Sequence, residues 1–320
     1  MNERHLDDQA ERPGISVVVC AYTERRWDAL VNAIASIDRQ TRAPLETIVV
    51  IDHNSALRDR AATAFPECRV VKSAESNGLS GARNTGVGEA RGEIVAFLDD
   101  DACAEPTWLS SLVQPFADRS VIGCGGVALP DWELARPRWI PPEFLWVVGC
   151  SYRGLPTVRQ PIRNPIGANM AFRRSVLAQA GGFVTGIGRV GRTPLGCEET
   201  ELSIRARAVT GGTILHLPDC RVWHQVPSDR TTWRYFRTRC WAEGLSKALV
   251  RRSVGSDAAL ASERAYVRRS LPSALRRELG TALRGDPAGL ARTVAIVSGL
   301  AMTGAGYLWG LLRDMQLQHQ

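Results

Sequence analysis

The chain has 320 residues and a formal net charge of +7, enough for one large or two small domains with a real core. Only Lys72 and Lys247 among its 40 basic residues are lysines, and the arginines are spread along the chain without a stripe or a reader motif, which argues against a nucleic-acid-binding protein. Eight scattered cysteines without CxxC spacing argue against a zinc site and give no disulfide framework, so they read as small buried hydrophobes.

The first half alternates in a regular way. "ISVVVC" (15–20) is a short apolar β-branched run, and "WDALVNAIASI" places Trp27, Leu30, Val31, Ile34 and Ile37 at helical spacing. "ETIVVID" (46–52), "CRVVK" (68–72) and "EIVAFLD" (93–99) read as further strands, with helices near 56–64, 80–90 and 106–116 between and after them. Apolar strands alternating with helices predict an α/β fold whose mostly parallel sheet is covered on both faces. From Val121 the regularity fades. "GCGGVALP" and "IGANMAF" read as strands, 131–165 as long loops, "CEETELSIRARAVTG" as a helix, and "GTILHLP" and "CRVWHQV" as two short strands. After Ser228 the pattern is helical. No signal peptide precedes "ISVVVC", which predicts a cytoplasmic protein.

Ligands of an open α/β sheet bind beyond the carboxyl ends of its strands. That rule selects "CAYTE" (20–24), "DHNS" (52–55), "ESNGLSGARNTG" (75–86) and "DDD" (99–101). The first loop lacks the glycines of a dinucleotide fingerprint, and no P-loop is present. The acid triplet has two readings. Asp99, Asp100 and Asp101 form a solvated turn that caps a helix starting at Pro106, or the first and third acids hold a hard divalent cation that bridges to a diphosphate.

"VVVCAYTE", "VVID-x-NS", "SNGLSGARNTG", "AFLDDDA", "GANMAFRR" and "CEETELSIRA", in this order from Ile15 to about His224, together resemble family-2 glycosyltransferases of the GT-A fold. The resemblance implies a metal-dependent, inverting transfer of a sugar from a nucleotide-sugar donor, a UDP-sugar in the leading reading, to an acceptor hydroxyl. It implies that Asp52 binds base and ribose, that Tyr22 and Glu24 pack on the nucleoside, and that Arg83 lies near the donor phosphates. Asp99 and Asp101 match the D-x-D pair, with Asp101 the direct ligand of Mg²⁺ or Mn²⁺ and Asp99 on ribose or metal; His224 resembles a residue that completes the metal site. Asp100 is then expected to point away.

The family's acid pair reads Glu-Asp, with the second acid as base; here it reads Glu198-Glu199. Glu199 is the leading base, and Glu198 the alternative. A helix N-terminus keeps such a carboxylate ionised, although glutamates also favour helix starts for stability alone.

Substrate choice falls to less regular segments. "RPRWIPPEFLWVVG" (136–149) covers the core or forms an acceptor lid with Trp139 and Trp146. With 222–248 it resembles a subgroup that includes glucosyl-dolichyl phosphate glucuronosyltransferases. Helix 230–250 is either a membrane-surface helix or an ordinary packed one. Thr293–Leu312 is twenty residues without a charge, flanked by Arg292 and Arg313, and suits either membrane association or a buried core helix.

The expected organisation is a polar tail (1–13), a GT-A catalytic domain (14–228) and a C-terminal helical, membrane-associated region (229–320). The expected partners are a nucleotide sugar, a saccharide or lipid-linked acceptor and a membrane surface to which the protein is peripheral or anchored, with no nucleic acid. A soluble enzyme acting on a small-molecule or polysaccharide-precursor acceptor is the alternative. A non-catalytic sugar binder is disfavoured by the intact Asp99, Asp101 and Glu199.

Overall fold

The structure is a computed structural model that describes residues 13–189 and 194–317; apart from Pro13, the polar tail lies outside the described residues. Strands β1 (Ile15–Ala21), β2 (Glu46–Ile51), β3 (Arg69–Lys72) and β4 (Ile94–Asp99) alternate with helices α1 (Trp27–Asp38), α2 (Ser55–Ala64) and α3 (Leu79–Glu89). They pair in parallel in the order β3-β2-β1-β4. Successive residues of β1 point to opposite faces. Val17 and Val19 join the core that holds Leu30, Ile34 and Ile37 of α1, whereas Val18 joins the core that holds Ala82 of α3. A strand buried on both sides reads as a continuous apolar run for this reason.

Beyond β4 the sheet becomes mixed. In chain order come β5 (Ala102–Ala104), α4 (Trp108–Val113), β6 (Val121–Trp132), β7 (Gln160–Pro161), β8 (Asn169–Arg173), α5 (Arg174–Gln179), α6 (Glu198–Thr210) and β9 (Thr213–Val226). The order β4-β8-β6-β9-β5 extends the sheet, with β8 antiparallel to both β4 and β6, and β9 parallel to β6. The two short strands expected at 213–226 form one element with a register break: His216 pairs with Gly125 and Arg221 with Val127. That break lets β9 bend from β7 towards β5 and carry His224 opposite Ala102. The expected loop over 131–165 contains a helical segment at Pro142–Val148.

The C-terminal region is helical: α7 (Trp233–Val254), α8 (Ser256–Ala265), a π-turn at Tyr266–Ser270, α9 (Leu271–Leu283) and α10 (Pro287–Leu317). Helix α7 is a packed helix. Phe236, Cys240, Ala242 and Val250 are buried, and its backbone meets α10 so closely that a Cβ on Gly244 would collide with the Thr303 carbonyl. Gly306 and Gly310 of α10 abut Trp241 and Ala248 in the same way. Small residues that admit close backbone approach are typical of tightly associated helices. Helix α10 is not the buried core helix of the alternative reading. Only 22% of its apolar window is buried, and Leu290, Val294, Val297, Leu308 and Leu312 are exposed.

Asn169 ties the mixed half together. Its Oδ1 accepts from Trp108 Nε1 at 2.8 Å, and its Nδ2 donates to the Val127 and Cys220 carbonyls at 3.1 and 3.0 Å. Asn169→Ala leaves three buried polar groups unpaired and should cost roughly 2–4 kcal/mol, read as a lower urea midpoint with an unchanged m-value.

Candidate active site

The ends of β1, β2 and β4 and the start of α6 border one cavity of about 990 Å³. Its lining includes Tyr22, Asp52, Arg83, Asp99, Asp101, Glu198, Glu199 and His224. The structure therefore brings together every residue proposed from the sequence except Glu24. Glu24 lies in a turn of 3₁₀ helix, exposed and outside the cavity lining, and the last residue of the same turn, Arg26, lines the cavity instead.

The acid triplet does not cap a helix. β4 ends at Asp99, the chain turns through Asp100 and Asp101 into β5, and α4 starts only at Trp108, with no side-chain cap. One carboxylate oxygen each from Asp99 and Asp101 and one ring nitrogen of His224 lie within 4.8 Å of one another. Two hard oxygen donors and an imidazole suit a divalent cation such as Mn²⁺ or Mg²⁺, and the nitrogen favours the former.

Basic groups surround the acids. Arg26 Nη1 lies 2.8 Å from Asp100 Oδ1 and 3.2 Å from Asp101 Oδ2, and Arg230 Nη2 lies 3.2 Å from the same Asp101 oxygen. His224 Nε2 is 3.2 Å from Asp101 Oδ1. Burial alone would raise the Asp101 pKa, but His224 and Arg26 outweigh it and hold the carboxyl well below its usual range. Burial likewise opposes charge on His224, yet Asp101 pushes it up to about 10. A cation bound here would displace that proton. Asp100 does not point away: it is buried in the cavity wall, and burial raises its carboxyl to about 6 against the pull of Arg26. Its Oδ2 has no hydrogen-bond partner among the described residues.

Arg83 is 2% exposed and committed to protein acceptors. Its Nη1 donates to Glu198 Oε1 at 2.8 Å, and its Nη2 to Asp99 Oδ1 and the Gly167 carbonyl at 3.2 Å. One guanidinium thus links the start of α6 to the end of β4. Glu198 is held by this contact, whereas Glu199 lines the cavity partly exposed. Burial, and then the neighbouring Glu198, push the Glu199 carboxyl up to about 7. Cys197, which precedes the pair, has a φ of 71°. A left-handed non-glycine residue costs about 1–2 kcal/mol, and this turn aims two consecutive glutamates at the site.

At the opposite end, Asp52 Oδ2 accepts from the Gly78 amide at 2.9 Å and its Oδ1 meets His53 Nδ1 at 2.7 Å. Tyr22 is exposed beside it, with the Arg26 guanidinium 5.6 Å from its ring centre. Of the two lid tryptophans, Trp146 lines the cavity. Trp139 instead packs edge-on against Trp233 and Phe236, at 5.0 and 5.5 Å.

Comparison with known proteins decides the family. Residues 16–181 match the profile of Glycosyl transferase family 2. The chain belongs to this family. It is 32% identical over 304 residues to the glucosyl-dolichyl phosphate glucuronosyltransferase of Haloferax volcanii, covering 93% of this chain and 96% of that protein. Mouse polypeptide N-acetylgalactosaminyltransferase 12 is 26% identical over 76% of this chain and 44% of its own length. A mannosyltransferase from Pyrobaculum calidifontis, solved with GDP-Man and Mn²⁺, superposes with a TM-score of 0.58 at 22% identity, over 93% of this chain and 88% of that one. GalNAc-T7 with UDP, GalNAc and Mn²⁺ gives 0.52 at 17% identity, over 80% and 55%. The protein is a glycosyltransferase of the GT-A fold.

Two site residues of this family-2 glycosyltransferase were missed in the sequence, Arg26 and Arg230. Nothing sets them apart from the other arginines until the fold places them on Asp101. The Arg83 linkage gives a direct test. Arg83→Met strands Glu198 and Asp99 without their cation and should cost about 3–5 kcal/mol of stability, measured by denaturant unfolding. Arg83→Lys, which lacks the two-pronged geometry, should recover only part of it.

Proposed function

We propose that the enzyme is a metal-dependent, inverting glycosyltransferase that moves a sugar from a nucleotide-sugar donor, a UDP-sugar in the leading reading, to a hydroxyl of a lipid-linked saccharide. It would work at the cytoplasmic face of a membrane, with 14–228 as catalytic domain and 229–320 as the membrane-associated region. The observation that carries this reading is that one cavity is lined by Asp52 and Tyr22, by the Asp99–Asp101–His224 group and by Glu199 at the start of α6. The named Haloferax relative and the exposed apolar face of α10 support the lipid-linked acceptor over a soluble one.

In this scheme Asp52 and Tyr22 hold the nucleoside. Asp99, Asp101 and His224 would hold the cation, which offsets charge growing on the departing diphosphate. Glu199 takes the proton of the acceptor hydroxyl. The oxygen then attacks the anomeric carbon from the face opposite the diphosphate, the bond from that carbon to the diphosphate oxygen breaks, and the configuration inverts. Arg83 positions Glu198, which leaves Glu199 free to face the acceptor.

A panel of nucleotide sugars assayed for metal-dependent transfer tests the proposal. Asp101→Asn should abolish Mn²⁺ binding by calorimetry together with transfer. Glu199→Gln should keep donor and Mn²⁺ binding but lower kcat by about 10²–10⁴-fold. Full turnover by Asp101→Asn under chelation would refute the metal assignment. The raised Glu199 carboxyl also sets a pH dependence. Its base form is lost as pH falls through about 7, so kcat/KM should drop about tenfold per pH unit below that point. A profile flat from pH 5 to about pH 8 would remove Glu199 as base.

A further inference from the structure

The cavity is also lined by the C-terminal helical region, which the donor and catalytic groups do not use. There it is lined by Trp146, Tyr266, Val267, Leu271, Leu300 and Thr303, from the 142–148 segment, the π-turn, α9 and α10. A volume of about 990 Å³ lies at the top of the range usual for small-molecule sites, about 300–1,000 Å³. Val267 and Leu300 line this part and are each 40% exposed, which makes them its rim.

Outside the rim the surface stays apolar. Leu290, Val294, Val297, Leu308 and Leu312 recur at helical spacing on the outer face of α10, and Leu279 and Leu283 of α9 are also exposed. A contiguous apolar face of this kind marks an interaction surface. Arg268, Arg269, Arg276 and Arg284 are exposed nearby, which suits the anionic headgroups of a bilayer. Gly306 packs on the α7 backbone at Trp241 and Gly310 on the Ala248 methyl, so the apolar face is fixed relative to the cavity.

We propose that this apolar arm is a binding site for the hydrocarbon tail of the acceptor, which enters from the bilayer between Val267 and Leu300 and leads the acceptor's saccharide towards Glu199. The proposal rests on the lipid-linked acceptor reading above and adds where the tail binds. It commits the site to a long flexible isoprenoid-type chain: the rim residues Val267 and Leu300 adjoin the exposed apolar face, and Trp146, Tyr266 and Leu271 offer the tail apolar and aromatic contacts beside the paired charges of Arg163, Lys247 and Glu263.

The test uses the full chain in detergent and on anionic vesicles, with a diazirine-bearing polyprenyl phosphate as crosslinking probe. Crosslinks should map by mass spectrometry to 266–271 and 300–303. Wild-type enzyme should show a KM about tenfold or more lower for a long-tailed than for a short-tailed saccharide acceptor. Leu300→Glu should erase that preference, and Thr303→Phe, which narrows the arm without adding charge, should do the same if the first variant folds poorly. Val294→Glu, on the outer face away from the cavity, should weaken vesicle binding but leave the detergent KM ratio unchanged. Crosslinks confined to the outer face, or an unchanged tail-length preference in both rim variants, would overturn the tail site while leaving the lipid-linked acceptor intact. Transfer to soluble saccharides only, with no lipid-linked acceptor used at any tail length, would overturn the underlying reading as well.

Discussion

Three consecutive carboxylates at the end of β4 are the constraint around which the site is organised. Asp100 and Asp101 are buried, and Asp99 is partly so. Like charges that close in a low-dielectric wall are untenable without nearby cations. The structure supplies cations from four separate parts of the chain: Arg26 after β1, Arg83 on α3, His224 on β9 and Arg230 before α7. Each pairing also fixes the element that carries it. The turn after β1, helix α3, the bent strand β9 and the entry to the C-terminal helices all converge because the acids require them.

The same charges divide the roles of the two glutamates. Arg83 is held by Glu198, Asp99 and a carbonyl, so Glu198 cannot leave it without stripping a buried guanidinium of one of its counter-charges. Glu199, one residue on, has no ion-pair partner among the described residues and feels Glu198 as a like charge. Neighbours in sequence that line the same cavity thus differ because one is paired with Arg83 and the other is not.

The C-terminal helices join this polar centre to an apolar exterior. Glycine contacts hold α10 to α7, and the aromatic cluster of Trp139, Trp233 and Phe236 ties the segment after β6 to the same bundle. The face of α10 turned from α7 stays uncovered. A helix that packs through small residues on one side and shows leucine and valine on the other can be part of a folded body and of a membrane surface at once.

Much of this was written in the residues themselves. The parallel strands were legible because strands buried on both faces must be continuously apolar, and the strand-end rule alone picks out Asp52, Arg83 and the acid triplet. The acid pair Glu198-Glu199 and the long apolar segment near the C-terminus were equally plain, since their signals are local. What tertiary structure alone decided lies in long-range partnership. Arg26 and Arg230 could not be told from dozens of other arginines, Glu24 was turned outward by its 3₁₀ turn, and Trp139 was drawn into an aromatic cluster while Trp146 faced the cavity. Asp100 faced inward because the chain turns where a continuing strand would have pointed it away. A sequence records the chemistry each residue brings and its local periodicity; which charge meets which, and which face of a helix stays bare, depends on contacts between segments far apart in the chain.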